Sequence, residues 1–202
     1  MHSSSRARTM GALGIVGSGL WIISVVMQHG LGLFTADGSP LQVAHELLAL
    51  TGMIGAMVGF LGLLWGQCFH GRLGPTGVII YVAGYGLIIV GGLALLVAGP
   101  VESPLFLVFP IGGLLHDIGY VLFGIATLRS ARWQVWQRWT PLLAATVGLL
   151  AIGIPMLAGI TPDGPGLLAE LLLGGAWLGV GLAVFTTYQP EAATRTPAAR
   201  TT

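Results

Sequence analysis

The residues best able to do chemistry in this sequence are histidines and acids that lie within long apolar stretches. His45 and Glu46 are adjacent in one stretch, His116 and Asp117 are adjacent in another, and Glu170 lies in a third. Imidazole beside a carboxylate can exchange protons near neutral pH or coordinate a divalent metal ion. Because ionisable groups are costly in apolar surroundings, their presence there indicates a function. We take these five residues as the candidate ligand- or ion-binding site.

Six apolar stretches must position these residues. Hydrophobic residues make up 54% of the 202 residues and charged residues only 7%, against about 25% charged in a typical soluble domain. Each stretch is long enough for a helix to cross about 30 Å of hydrocarbon. The sequence predicts an all-α membrane protein, one six-helix bundle with no second domain, with spans at about 10–33, 41–67, 75–99, 104–128, 140–160 and 165–188.

Positive charge is confined to alternate gaps between the stretches. The other gaps carry only the acids Asp37, Glu102 and Asp163. Since positively charged loops stay on the cytoplasmic side, we expect a cell-membrane protein with both termini in the cytoplasm. Residues 1–9 and 189–202 are then cytoplasmic tails, the second of them disordered. The eight basic residues behind this prediction are Arg6, Arg8, Arg72, Arg129, Arg132, Arg138, Arg195 and Arg200.

The three acidic gaps resemble one another. Residues 37–40, 102–104 and 163–165 each place a turn or capping residue before a proline, which suits the first position of a helix. Gln42, three residues after Ser39, also fits a capping box. Three repeated helical hairpins would explain the likeness, and so would good helix-start chemistry that arose three times. Both interpretations stay open.

Glycines recur at helical spacing in four of the stretches. In a membrane, such a face lets two helix backbones approach closely. We therefore expect tight helix packing and no wide water-filled pore. The glycines concerned are Gly52, Gly55, Gly59, Gly62 and Gly66, then Gly77, Gly84 and Gly91, then Gly112 and Gly119, and finally Gly174 and Gly181.

The candidate site residues share these glycine faces. His45 lies seven residues before Gly52, His116 lies between Gly112 and Gly119, and Glu170 lies on the face of Gly174. If the glycine faces point into the bundle, three helices bring a polar group to one place. For Glu46 and Glu170 a structural role as buried first-turn carboxylates is the alternative.

The depth of His116 and Asp117 depends on where the fourth helix begins. A start at Pro104 puts both residues about 18–20 Å along the helix, near the middle of the bilayer. A start at Pro110 raises them to the level of the other candidates, and one outward-facing site could then contain all five. The sequence leaves both starts open.

The loop before the fifth stretch carries tryptophans at steps of three. With the neighbouring arginines they fit a short helix that lies in the headgroup layer as a lipid or interface anchor. A docking surface for a partner subunit is the alternative. The anchor residues are Arg132, Trp133, Trp136, Arg138 and Trp139.

Three functions fit these features. The first is a small transporter, or an ion-, proton- or solute-binding protein, whose site opens to the outer side. The second is an accessory subunit of a larger membrane complex, and the third is a metal- or haem-dependent membrane enzyme or redox subunit. We expect no cofactor, with a divalent metal or haem as alternatives, and the metal candidates are His45, His116, Asp117 and Glu170.

Partners and catalytic groups are weakly defined. The lipid bilayer is the expected partner, together with a homo-oligomeric copy or a partner membrane subunit. Nucleic acid is not expected, because the arginines are spread over several gaps and form no basic patch. No metalloprotease, serine-hydrolase or paired-cysteine motif occurs, so no catalytic residue is predicted and the chain is not expected to be an enzyme.

Overall fold

The computed structural model describes residues 2–33, 39–65, 69, 71–98, 108–130, 133–158 and 166–188. These residues are almost entirely helical and contain no strand, so the predicted all-α class is confirmed. The elements are α1 (His2–Leu31), α2 (Pro40–Trp65), α3 (Leu73–Ala98), α4 (Val108–Leu128), α5 (Val135–Val147), a π-helical segment (Gly148–Gly153), α6 (Ile154–Leu157) and α7 (Leu167–Thr187).

Five of the helices are long and apolar enough to cross a membrane, namely α1, α2, α3, α4 and α7. They coincide with five of the six predicted spans, so the chain is a membrane protein by helix length and composition. The described part of α1 begins at His2, so residues 2–9, which were assigned to an N-terminal tail, belong to this helix. The predicted C-terminal tail, 189–202, lies outside the described residues.

The predicted span 140–160 is the exception, because it is divided into α5, the π-helical segment and α6. Pro155 explains the division: it has no N–H to offer the carbonyl of Ala151, and its ring crowds that carbonyl. The helix widens just before the proline, and the N–H of Ile154 reaches back five residues to the carbonyl of Leu149. The six-span count is therefore confirmed for five spans only.

Glycines bring the helices together in pairs, as the sequence predicts. A side chain at Gly55 would place its Cβ 2.7 Å from the Cα of Gly17, so α2 lies backbone to backbone on α1. In the same way Gly112 of α4 meets the backbone of α3. α7 joins the first pair through Gly181, where a Cβ would lie 2.9 Å from the backbone nitrogen of Ile15.

This pairing corrects one expectation. The glycine faces do not all point into the centre of the bundle, because α2 and α7 turn theirs towards α1, and α4 turns its face towards α3. A shared glycine face therefore identifies the neighbouring helix and does not by itself bring His45, His116 and Glu170 to one place.

The three-hairpin repeat is not confirmed. The α1–α2 and α3–α4 hairpins share glycine packing, but α7 packs more extensively on α1 than on α5. The cap at Ser39 does form, since its hydroxyl accepts a hydrogen bond of 3.1 Å from the N–H of Gln42. The Gln42 side chain turns away from the cap and donates to Oε1 of Glu46 at 2.9 Å.

The tryptophan loop differs from the predicted interfacial helix. Residues from Val135 onward form the first turn of α5, and Trp133 is only 1% exposed. The guanidinium of Arg138 donates from Nε to the carbonyl of Trp133 at 2.8 Å. Trp133 is buried against the protein, and its assignment as an anchor stays a prediction. Trp136 and Trp139 are 46% and 49% exposed, and their anchoring role remains a prediction. Arg132 lies outside the described residues.

Candidate functional site

His116 sits among closely packed rings contributed by α2, α3, α4 and α7. The centroid of its imidazole lies 4.8 Å from that of Tyr81 and 5.3 Å from those of Tyr85 and Tyr120. Neighbouring ring centroids in this group are 4.7–5.7 Å apart, the usual range for contacting aromatic pairs. We call this group the aromatic core: Phe60, Tyr81, Tyr85, Tyr120, Phe123 and Trp177, with His116 among them.

The local sequence explains this placement. Tyr81 and Tyr85 are four residues apart on α3, and His116 and Tyr120 are four apart on α4, so each pair lies on one helix face. Because successive helical residues diverge by about 100°, His116 points into the aromatic core while Asp117 stands at its flank.

A short hydrogen bond joins the two residues. Nδ1 of His116 lies 2.9 Å from Oδ1 of Asp117. The other ring nitrogen, Nε2, is buried and has no hydrogen-bond partner among the described residues. The imidazole therefore has one nitrogen on the carboxylate and the other directed away from it.

Several polar atoms of the aromatic core also lack partners. Within the described part of the chain, the hydroxyls of Tyr81, Tyr85 and Tyr120 and Nε1 of Trp177 are buried without a hydrogen bond. An unsatisfied buried group costs about 1–3 kcal/mol, so these atoms oppose packing unless a bound water bridges them. Hydroxyls and an imidazole in this arrangement can hold water and relay protons.

Asp117 contacts the π-helical segment on its other side. A Cβ at Gly153 would lie 3.0 Å from Oδ2 of Asp117, and a Cβ at Gly148 would lie 3.5 Å from Oδ1. The two glycines thus leave room for the carboxylate. A groove of about 210 Å³ lies beside Asp117 on the α4 side and exposes only apolar surface. It is lined by Leu114, Asp117, Ile118, Val121, Leu122 and Leu149.

A second histidine–acid pair bridges two helices. Nε2 of His29, in the last turn of α1, lies 3.5 Å from Oε2 of Glu170 on α7. Glu170 is seven residues, or about 10 Å along the helix axis, from Trp177, which contacts His116. No described contact joins this pair to the His116–Asp117 pair, and the single site of the sequence analysis stays a prediction.

His45 and Glu46 form a third group. His45 is buried, and Nδ1 is 3.8 Å from Oε1 of Glu46, too far for a hydrogen bond. The Glu46 side chain is 36% exposed and accepts from Gln42, which agrees with a first-turn structural role. Among the described residues no three His, Cys, Asp or Glu side chains are grouped to hold a metal ion, so the four metal candidates are not gathered there.

The described part of α4 extends upstream of Pro110, one of the two predicted starts. The described helix begins at Val108, and Pro110 lies in the first turn, where its missing N–H costs nothing. Pro104 lies outside the described residues. Asp117 is close to the middle of the described helix, and His116 contacts Trp177 of α7.

Sequence reasoning missed the tyrosines and Trp177 as members of these groups, and it did not pair His29 with Glu170. One signal was available for the tyrosines. Of the four tyrosines in the chain, Tyr81, Tyr85 and Tyr120 occur well inside apolar stretches, whereas membrane tyrosines usually lie near the headgroups. The partner of Glu170 required knowledge of which helix lies beside α7.

Comparisons with known proteins assign no role to these residues. The site therefore rests on its own geometry: a histidine–aspartate pair in mid-helix, with unpartnered hydroxyls on one side and an apolar groove on the other. No family model, no curated protein and no solved structure matches the chain.

Proposed function

We propose that this protein is a small membrane transporter, or proton- and solute-binding protein, whose site is the His116–Asp117 pair with the tyrosines of the aromatic core. The observation that carries the proposal is the set of buried polar atoms without described partners around His116. Phenylalanine and leucine would fill the same space without any cost of burying polar atoms. A core that served packing alone would gain stability from that exchange.

The two nitrogens of His116 define the step that we assign to it. Asp117 stands between the groove and the imidazole, and it holds Nδ1 at 2.9 Å. Nε2 lies on the opposite side of the ring, among the tyrosine rings. Imidazole can accept a proton at one nitrogen and release one from the other. His116 would pass protons between Asp117 and the hydroxyl-lined interior.

The orientation is part of the proposal. With arginine-bearing gaps in the cytoplasm, the end of the bundle that carries His29 and Glu170 faces outward. A reporter fused after Arg200 should then be cytoplasmic, and reporters inserted at Gly38 and Gly164 should be external. The opposite pattern would mean that the end of the bundle with His29 and Glu170 faces the cytoplasm.

Proton flux tests the function directly. The protein is reconstituted into liposomes that contain a pH-sensitive dye, and a potassium diffusion potential drives protons inward. We expect His116→Ala and Asp117→Asn to lower the protein-dependent flux at least about tenfold, the lower range for loss of a proton-transfer group.

The matched control is Thr51→Val. Thr51 is exposed on α2, and its hydroxyl donates to the carbonyl of Leu47 within the same helix at 2.7 Å. This variant removes a polar group without touching the site and should keep the flux of the unchanged protein. Equal flux in all four proteins would refute the proposed function.

A further inference from the structure

The end of the bundle at which α7 finishes carries positive charge and, among the described residues, no acid. The described acids Glu46, Asp117 and Glu170 lie near the opposite end or in mid-helix. The ion pairs found in the described part of the chain all involve histidine. We call this region the arginine end, after Arg6, Arg8, Arg72, Arg129 and Arg138. Its counter-charge is therefore not supplied by the described residues.

Arg138 is held by one edge of its guanidinium and presents the other. Nε donates to the carbonyl of Trp133 at 2.8 Å, and the two terminal amino groups make no hydrogen bond with the described residues. α5 is fixed in place as well, because the side chain of Gln137 donates to Oγ1 of Thr186 on α7 at 2.9 Å. The open end of a planar guanidinium matches two oxygens of a phosphate. Arg138 is therefore positioned to hold an anion.

Arg8 is restrained by an aromatic ring at the same end of α7. Its guanidinium carbon lies 4.9 Å from the centre of the Phe185 ring, within the range of a cation–π contact. This contact uses no hydrogen bond, and none of the N–H groups of the guanidinium has an acceptor among the described residues. Phe185 and Thr186 are neighbours on α7, so Arg8 and Gln137 contact that helix within one turn of each other. Two restrained guanidiniums thus lie at about one depth.

The depth of these arginines indicates what meets them. The 27 apolar residues of α1 that could span a membrane are about 40 Å long, against about 30 Å of hydrocarbon, so the ends of α1 reach the headgroups. Trp136 and Trp139 in the first turns of α5 are 46% and 49% exposed, and tryptophan is enriched at that level. Membrane orientation depends only on the charge of an arginine. It does not require a guanidinium held on a carbonyl or over a ring, so the restraint favours a bound ligand.

We infer that the arginine end binds anionic phospholipid, whose phosphate oxygens accept hydrogen bonds from Arg8 and from the terminal amino groups of Arg138. Cations without a described acid complement a headgroup of net negative charge, and each arginine near such a surface strengthens the attraction. A zwitterionic phospholipid carries the same phosphate, but its own cation neutralises the charge. The inference goes beyond the proposed function, because it concerns another part of the molecule and requires no proton flux.

Competition between two phospholipids tests the inference. The full-length protein in detergent is mixed with equal amounts of phosphatidylglycerol and phosphatidylcholine that have the same acyl chains, and native mass spectrometry counts the molecules of each that stay bound. Because the chains are identical, any preference comes from the headgroup. We expect phosphatidylglycerol to be preferred at least about tenfold, as one charge-assisted hydrogen bond implies.

Matched arginine substitutions separate a binding site from general positive charge. Arg8→Gln and Arg138→Gln should each lower the preference for phosphatidylglycerol severalfold. Arg6→Gln and Arg129→Gln remove the same charge from exposed side chains that have no described contact, and they should leave the preference nearly unchanged.

If Arg138→Gln does not fold because the carbonyl of Trp133 loses its donor, the comparison of Arg8→Gln with Arg6→Gln on the same helix decides. Equal retention of the two phospholipids by the unchanged protein would overturn the inference. So would an equal loss of preference in Arg6→Gln and Arg8→Gln, because general charge would then account for the binding.

Discussion

The α1–α2 and α3–α4 hairpins are held together by the same close glycine contacts, and they differ in the buried polar groups beside those contacts. In each, small residues let two backbones touch: Gly14 and Gly59 in the first, Gly77 and Gly119 in the second. In the first hairpin the buried hydroxyl of Ser18 donates to a backbone carbonyl at 2.8 Å, and the unpartnered buried atoms of Trp21 and His45 lie on different helices and share no ring cluster. In the second hairpin the tyrosine hydroxyls of the aromatic core and Nε2 of His116 have no described partner.

This difference separates packing from chemistry. Close backbone approach is needed in both hairpins because helices in lipid gain little from burying apolar side chains. The tyrosine hydroxyls of α3 and α4 are not needed for it, since the first hairpin packs equally closely without a cluster of tyrosines. We therefore expect the glycines of both hairpins to determine stability and the residues around His116 to determine function.

The largest effect should come from filling the glycine contacts. In Gly59→Val the new Cβ would lie 2.5 Å from the Cα of Gly14, and in Gly119→Val it would lie 2.6 Å from the Cα of Tyr81. Backbone atoms cannot move aside as a side-chain tip can, so we expect each variant to lose about 3 kcal/mol of unfolding free energy. Denaturant unfolding in detergent measures the loss.

Gly86→Val is the matched control for both variants, because a Cβ at Gly86 would meet nothing within 4 Å. Its stability should stay close to that of the unchanged protein. If Gly59→Val and Gly119→Val were as stable as Gly86→Val, close glycine contacts would not hold the two hairpins together. A large loss in only one of them would mean that the two hairpins are held together differently.

The fold was predictable to the extent that it depends on periodicity and length. Long apolar stretches located five helices, and glycines at steps of three and four identified the faces that meet another helix. Pro155 could have indicated the interruption of the fifth predicted span, since a proline inside a helix removes a backbone donor. Trp133 was assigned to the interface because its spacing matches Trp136 and Trp139, although it lies before α5 begins.

The candidate site was predictable only in its central pair. His116 and Asp117 are adjacent in sequence, so their contact is local and needs no knowledge of the neighbouring helices. The contacts of His116 with Tyr85 and of His29 with Glu170 depend on which helices are neighbours and in which register. Periodicity within one helix carries no information about either.

An intermediate effect is expected at the second histidine–acid pair. Glu170 is buried and bridges α7 to α1 through His29, so it connects elements as the glycines do. Replacing it by alanine removes the carboxylate from His29, and we expect a loss of about 2 kcal/mol in unfolding free energy. Glu46→Ala is the control, since the Glu46 side chain is 36% exposed and should change stability by less than about 0.5 kcal/mol.

Proton flux through the Glu170→Ala variant tests whether Glu170 serves only stability or also belongs to the functional site around His116. Once the remaining folded fraction is counted, its proton flux per molecule should match that of the unchanged protein. A tenfold loss of flux with full stability would place Glu170 in the functional site with His116, and the division between packing and chemistry would have to be redrawn.

The smallest effect on stability, and the most diagnostic for function, is expected at the tyrosine hydroxyls. Tyr85→Phe and Tyr120→Phe each remove a buried hydroxyl that has no hydrogen bond among the described residues. Stability should stay within about 0.5 kcal/mol or rise, because no bond is lost and a polar atom leaves an apolar site. The same variants should lower the proton flux severalfold if the hydroxyls hold the water through which His116 exchanges protons.

Thr127→Val, in the same hairpin, should have the opposite effects: a loss of stability and an unchanged proton flux. Its buried hydroxyl donates to the carbonyl of Gly124 at 2.7 Å and lies 3.1 Å from that of Arg138. Removing it should cost about 1 kcal/mol and leave the flux per folded molecule unchanged. If the tyrosine variants instead lost stability and kept their flux, their hydroxyls would be structural like that of Thr127. The α3–α4 hairpin would then differ from α1–α2 in composition alone.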